Sequence, residues 1–294
     1  MSPTDANPVP LLYESHMHTP LCKHAEGLPG DYAAVAAEKG LRGIIVTCHS
    51  PMPGGYSANV RMAPEELPAY LEMIDAAAET WADTLEVLPG LESDYVPGME
   101  KWLENLHRQA DFHHVLGSVH PFVPEFRKRF FTGDRFAYQQ LYFTHLAEAA
   151  ETGLFDTLAH PDLIKNEFPD EWDLDALMPH IAECLDRIAA TGCAMELNTS
   201  GLGKRLPEMN PAPRILSEML IRGIPVVLGA DAHRPARVAD QFPEALRLLQ
   251  SLGYRNVSIF RERIRREIPV AAALGSLQAS LPGNAGRIAS PAAN

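Results

Sequence analysis

Short apolar, β-branched runs alternate along the chain with longer segments whose apolar residues recur at helical spacing. The runs predict strands over residues 9–14, 41–47, 85–91, 114–119, 155–159, 194–197 and 224–228, with a weaker one over 256–260. Between them the spacing predicts helices over 31–39, 64–81, 99–108, 136–151, 174–190, 213–222 and 238–252. Local chemistry agrees with these limits. Gly40 stands where a helix C-cap glycine belongs. Glu65 and Glu66 occupy a first turn, where the helix dipole favours negative charge. The run Leu41-Arg42-Gly43-Ile44-Ile45-Val46-Thr47 is nearly continuous in apolar character, as expected of a strand buried on both faces. Strict alternation of strand and helix predicts a parallel sheet flanked by helices, an α/β protein. Seven strong units and a weak eighth favour a closed barrel over an open sheet. With no linker and no internal repeat, residues 1–270 read as one catalytic domain. From Ala271 the sequence turns small, polar and Gly/Pro-punctuated, so 271–294 is expected to be a flexible C-terminal tail.

Composition narrows the function. At 294 residues with 46% hydrophobic and 21% charged positions, the chain can bury a large core. Its 25 Lys+Arg against 38 Asp+Glu leave a net charge of -13, which argues against a nucleic-acid partner, because such affinity rests on surplus basic groups. A small anionic substrate remains compatible, since a cleft can carry a local positive field. No run approaches the ~20 apolar residues of a membrane span. The N-terminal segment lacks the basic and apolar regions of a secretory leader. Cys22, Cys48, Cys184 and Cys193 show no C-x-x-C spacing. A reduced, cytoplasmic protein without membrane association is the expectation.

The chemistry lies where the expected strands end, the face on which parallel barrels carry their sites. Strand one runs into His16-Met17-His18, with His24 in the loop beyond it. The later strands end in His49, Glu92, His120, His160, Asn198 and Asp231-Ala232-His233. One histidine at a strand end is ordinarily a hydrogen-bonded structural residue, but an unbroken series is not explained that way. His-x-His also places two imidazoles on one side of an extended chain, and Asp231-x-His233 does the same with an oxygen and a nitrogen donor. His107, His145 and His180 fall in or beside helices, and His113 and His114 at a strand start, so they are not expected to be ligands. Imidazole and carboxylate donors without a compelling thiolate suit divalent zinc, manganese or iron. Nine such donors are too many for one tetrahedral ion and fit two or three ions with a bridging carboxylate. Such sites activate a bridging hydroxide and clamp a phosphoryl or carbonyl group.

These residues resemble a known family. The run from His16 to Gly27 (HMHTPLCKHAEG), with Cys48-His49-Ser50-Pro51-Met52-Pro53 and Gly117-Ser118-Val119-His120, is similar to the polymerase-and-histidinol-phosphatase (PHP) superfamily. More narrowly it is similar to the PHP-type histidinol-phosphate phosphatases. Asn198-Thr199-Ser200-Gly201-Leu202 and the run from Gly229 to Pro235 (GADAHRP) continue the match, which spans roughly residues 12–270. The resemblance implies a distorted, TIM-like (β/α)7 barrel and a trinuclear metal site. It implies that His16, His18, Glu92 and Asp231 hold a first ion and His24, His49 and His233 a second. Glu92, His120 and His160 would hold a third, which makes Glu92 the bridge. Where the family often has aspartates, this chain has Glu14 and Cys48, which leaves the orienting of imidazoles by those positions open. Cys48 and Cys22 are expected to pack.

The implied reaction is hydrolysis of L-histidinol phosphate to L-histidinol and phosphate, with a metal-bound hydroxide as nucleophile and Asp231 or His233 as candidates for proton transfer. Basic residues in loops on the same face could complete the phosphate grip: Arg61, Lys165, Lys204, Arg205 and Arg234, with Lys165 and Arg205 preferred. Asn198 could hold a loop or touch substrate. The competing readings are another PHP-type phosphoesterase acting on a nucleotide, nucleic-acid end or sugar phosphate, an amidohydrolase-like hydrolase, and a non-catalytic metal-binding protein.

Overall fold

The computed structural model describes residues 9–278. Its strands are β1 (Tyr13–Glu14), β2 (Gly43–Val46), β3 (Glu86–Asp94), β4 (His114–Ser118), β5 (Thr157–Leu158), β6 (Ala194–Asn198), β7 (Val226–Gly229), β8 (Asn256–Arg261) and β9 (Ile264–Pro269). They form one sheet in sequence order, parallel from β1 to β8 and antiparallel between β8 and β9. The helices are α1 (Pro29–Glu38), α2 (Leu67–Trp81), α3 (Glu100–His107), α4 (Pro124–Phe130), α5 (Arg135–Glu151), α6 (Leu174–Thr191), α7 (Pro213–Ile221), α8 (Phe242–Leu252) and α9 (Val270–Gln278). Among the described residues none of them is long and apolar enough to cross a membrane.

The sheet closes just beyond its regular strands. Met17, after β1, bridges Ala232, after β7, in parallel. His18 N–H donates to Ala232 O and Ala232 N–H to His16 O, both at 2.9 Å. The result is a distorted seven-stranded barrel whose seam runs through the residues expected to carry the chemistry. The opposite end is sealed by the β8–β9 hairpin. Arg263 reaches across to Asp156 at 3.0 Å and to Leu154 O at 2.7 Å. The Phe260 ring stacks on His114 at 4.8 Å and packs against Ala194 and Val227. The larger core lies between sheet and helices, with Ile44, Leu91, Val115, Ile181, Leu216 and Leu246 fully buried.

Four local features differ from the expectation. Regular pairing in the first strand is confined to Tyr13–Glu14 rather than spanning 9–14, because ladder partners on β2 begin only at Gly43. The loop before α5 contains α4, a short helix begun by Pro124, whose missing N–H costs nothing at a first turn. β9 went unseen because only Ile268 along it is buried, so it has no alternating apolar face. The expected tail from Ala271 begins instead as α9, with Ala273 and Leu277 buried; residues 279–294 lie outside the described residues.

Candidate active site

Strand-end geometry delivers the donors. His16 and His18 follow β1, and Glu92 lies within β3 beside His49, to which it is bridged in parallel. His120 and His160 stand two residues beyond β4 and β5, and Asp231 and His233 two and four beyond β7. All converge on the mouth of the barrel. There His24, His49, His120, His160, Asp231 and His233 line a cavity of about 510 Å³, with His16, His18 and Glu92 buried beneath. His160 (φ 32°) and Asp231 (φ 50°) occupy the left-handed backbone region, which costs on the order of 1–3 kcal/mol and persists where surroundings enforce it. For His160 the enforcement is visible: Glu196 Oε2 accepts its N–H at 2.8 Å and Tyr142 O–H donates to its carbonyl at 2.9 Å.

Glu92 is the centre of this arrangement. Its Oε1 faces His160 Nε2 at 3.0 Å and His120 Nε2 at 3.4 Å. Its Oε2 faces His49 Nδ1 at 2.7 Å, His16 Nε2 at 3.6 Å and His18 Nε2 at 3.7 Å. Asp231 Oδ1 lies 3.1 Å from His18 Nε2 and 3.6 Å from His16 Nε2. Three-donor groups within 4.8 Å include His24–His49–His233, His16–His18–Asp231 and His16–Glu92–His160. Several of these atoms are buried without a hydrogen-bond partner: His16 Nε2, His49 Nδ1, Glu92 Oε2 and His233 Nε2. The 2.7 Å approach of His49 to Glu92 thus lacks hydrogen-bond geometry; both atoms point toward a common space. Unpaired buried polar atoms are costly, and a cluster of convergent lone pairs fits divalent cations.

Both carboxylates and two of the rings are held in the form that binds a cation. Burial works against ionised Glu92, but His49, His16 and His120 outweigh it and hold the carboxyl well below its ordinary pKa. Asp231 is likewise held low against burial, by His16, His18, His233 and Lys204. Burial pushes His49 down to about 4 and His233 to about 3, keeping both rings neutral with a lone pair to offer. His16 goes the other way: burial opposes its charge, but Glu196, Asp231 and Glu92 together raise its pKa well above the ordinary value.

A second layer of residues aims the donors, and sequence reading missed most of it. Glu196 Oε1 accepts from His16 Nδ1 at 2.7 Å, leaving Nε2 for the centre. Asn198 Nδ2 donates to Glu196 Oε2 at 3.0 Å, while Asn198 Oδ1 accepts from Ser200 N–H at 2.9 Å. Asn198 therefore holds the loop after β6. Gly229 leaves room for this carboxylate, because a Cβ there would lie 1.8 Å from Glu196 Oε1 and displace it. Asp94 accepts from His120 Nδ1 at 3.0 Å. His24 and His233 donate from Nδ1 to Cys22 O at 2.7 Å and Asp231 O at 3.0 Å. Glu196 and Asp94 each stand two residues from an already identified position, Asn198 and Glu92, so period-two alternation could have flagged them.

The two family departures now have roles. Glu14 accepts backbone N–H bonds from His16 and Ala230 at 3.0 Å and from Ala239 at 2.8 Å, stitching the seam. It steadies His16 through the main chain, while Glu196 orients the ring. Cys48 Sγ accepts from Thr19 N–H and Oγ1–H at 3.4 and 3.3 Å. Cys22, expected only to pack, has its sulfur within 4.8 Å of donor atoms of His18 and His233. Contact with Cys48 pulls its thiol pKa well below the ordinary value, and His18 and His24 add to the effect.

The basic candidates separate. Lys204 lines the cavity and acts electrostatically on Asp231. Arg205 and Arg234 are exposed and lie outside the cavity lining. Arg61 touches the cavity, but its guanidinium donates to Ser57 Oγ at 2.6 Å, Ser50 O at 2.9 Å and Asp94 Oδ2 at 2.7 Å. It braces Asp94, and through it His120. Lys165 does not face the cavity. Its fully buried ammonium donates to Asp162 and Met209 O at 3.0 Å and to Glu208 at 3.1 Å, exhausting its three protons. Lys165→Met should therefore act on stability, costing about 3–5 kcal/mol because buried Asp162 is left unpaired. Urea unfolding would register that loss; an unchanged midpoint with a raised KM would instead put Lys165 on the substrate. The remaining histidines have ordinary partners: His107 meets Ser93 Oγ at 3.0 Å and His114 meets Thr157 Oγ1 at 2.8 Å, while His145 pairs with Glu148 at 2.8 Å.

Comparison with known proteins places this geometry. The PHP domain profile matches residues 14–200. The "probable histidinol-phosphatase" of Deinococcus radiodurans is 39% identical over 262 residues, covering 86% of this chain and 97% of that protein. This chain belongs to the PHP domain family. Within it, the histidinol-phosphatase of Bacillus subtilis is 24% identical over 256 residues, 76% of this chain and 94% of its own. The crystal structure of the Lactococcus lactis histidinol phosphate phosphatase, complexed with zinc, L-histidinol and phosphate, superimposes with a TM-score of 0.71 at 18% identity. That likeness covers 86% of this chain and 98% of the other, and shows that the distorted barrel is the PHP fold.

Proposed function

We propose that this protein is a metal-dependent phosphomonoesterase that hydrolyses L-histidinol phosphate to L-histidinol and phosphate. The observation that carries the reading is Glu92, whose two oxygens face two separate sets of imidazoles. A carboxylate so placed is suited to bridging two cations, the arrangement that phosphoryl transfer uses. The names of the Deinococcus radiodurans and Bacillus subtilis relatives, and the ligands of the Lactococcus lactis enzyme, supply the substrate.

In this reading three ions, zinc, manganese or iron, would be held by His16, His18, Glu92 and Asp231; by His24, His49 and His233; and by Glu92, His120 and His160. When bound, they supply Lewis-acid stabilisation of phosphoryl charge and a nucleophile from water near neutral pH. The protein's part is preorganisation. Glu196, Asp94 and Arg61 fix ring orientations. Lys204 stands on the cavity wall to meet a phosphate oxygen. Arg205 and Arg234, exposed and outside the cavity lining, would add only long-range attraction for the anion. Asp231 Oδ2 accepts from Ser200 Oγ–H at 3.2 Å, which fixes the orientation of that oxygen. Asp231, held ionised, and His233, held neutral, carry no spare proton at rest, so each would serve the leaving group by taking a proton from water and passing it on. The net charge of -13 favours a small substrate over nucleic acid, and the four free cysteines suit a reducing cytoplasm.

A substrate panel on metal-reconstituted enzyme tests the reading. Histidinol phosphate should exceed generic phosphomonoesters by at least ~100-fold in kcat/KM, roughly 2.7 kcal/mol of transition-state discrimination. Equal rates on all of them would reduce the protein to a nonspecific phosphatase, and cleavage of single-stranded DNA in preference would make it a nuclease.

A further inference from the structure

The cavity that holds the metal-facing residues also has an apolar part. Val60, Phe122, Val123 and Leu163 line it together with Lys204, Asp231 and His233. Seven large hydrophobic side chains are strongly exposed among the described residues, and of these Phe122, 45% exposed, is the one that lines the cavity. A single exposed apolar side chain is ordinary on a surface, but one that lines a cavity of ligand size offers an apolar contact to what enters it.

The backbone that carries the ring is held in place. Val123 N–H closes a turn onto His120 O at 3.2 Å, and Tyr138 O–H anchors Pro121 O at 2.6 Å. Phe126, one turn on, is buried against Phe130, Tyr138 and His145. The Phe122 ring centroid consequently stands 6.0 Å from that of His120.

We propose that Phe122 is the specificity-determining residue for the imidazole end of the substrate, with Val60 and Leu163 completing an aromatic subsite. The inference rests on the histidinol phosphate reading and adds the residue that recognises the ring. Three carbons separate the ester oxygen from the imidazole, a reach of about 4–5 Å at ~1.5 Å per bond. With its phosphate among the ligand residues, which include His120, a substrate of that reach extends its ring to the neighbouring Phe122, whose centroid is 6.0 Å from that of His120. A planar heteroaromatic ring gains from an offset or edge-on aromatic partner, whereas a ring-less phosphate ester finds nothing to stack on.

The test compares wild type, Phe122→Ala and Phe122→Tyr on histidinol phosphate and on phosphoethanolamine, which keeps an amine and a phosphate but lacks the ring. Phe122→Ala should lower kcat/KM for histidinol phosphate about fivefold to tenfold, largely through KM, and change phosphoethanolamine less than about twofold. Phe122→Tyr should restore the preference. Product inhibition gives a second readout: the Ki of L-histidinol should rise in Phe122→Ala while that of inorganic phosphate stays constant. Equal losses on both substrates, or no loss on either, would overturn the subsite. A wild-type enzyme with no preference for histidinol phosphate would overturn the functional reading itself, and the subsite with it.

Discussion

Glu92→Gln should strip more metal from the protein than any change at the rim of the site and abolish nearly all activity. The substitution preserves shape but removes the negative charge from a carboxylate whose oxygens lie between 2.7 and 3.7 Å from five imidazole nitrogens. If it serves two ions, both lose a donor, and each also feels more of its neighbour's repulsion. His24 provides the comparison, being exposed and offering a single ring nitrogen to one group. Altering even a residue behind a metal ligand typically costs 10–100-fold in affinity or activity, so a shared ligand should cost at least about 100-fold. Metal analysis of the two variants, reconstituted at the same free-metal concentration, decides the matter. Glu92→Gln retaining a full complement, or losing no more than His24→Ala, would remove the bridge from the mechanism.

Glu196→Ala should weaken metal binding by about 10–100-fold although this residue belongs to none of the proposed ligand sets. Its loss frees the His16 ring to turn, leaves the His160 N–H without its acceptor, and removes the acceptor of Asn198 Nδ2. The His160 consequence matters because that residue sits in a left-handed conformation its surroundings must enforce. Gly229→Ala reaches the same carboxylate from the other side, since the added Cβ would fall 1.8 Å from Glu196 Oε1. Chelator competition should show weaker binding in both variants, with circular dichroism confirming that the barrel persists. Glu196→Asp, which keeps the charge but shortens the reach, should recover part of the affinity. Wild-type metal affinity in both Glu196→Ala and Gly229→Ala would reduce Glu196 to a packing residue.

The barrel and its chemical face were legible because both depend on local repetition. Strand and helix periods alternate along the chain, and a parallel βα order leaves every strand end on one rim. His16, His18, His49, Glu92, His120, His160, Asp231 and His233 could therefore be assigned to one site before any contact was known. The elements that escaped were those whose burial is one-sided or absent: β9 runs almost wholly exposed, and α4 is a single short helix inside a loop.

What only the tertiary structure decided is which polar groups meet across the barrel. Lys165 and Arg61 read as phosphate ligands from their loops, yet Lys165 donates its protons to Asp162, Glu208 and Met209 O, and Arg61 donates to Ser57 Oγ, Ser50 O and Asp94. A buried cation takes the nearest satisfying partners, and those are fixed by packing rather than by sequence neighbourhood. Glu196 is separated from His16 by 180 residues, so nothing in the order of residues announces their 2.7 Å contact. Strand periodicity determines which face a side chain occupies. Whether it grips substrate, metal or another side chain depends on the distances that closure of the barrel imposes, and hydrogen bonds lose their strength over fractions of an ångström.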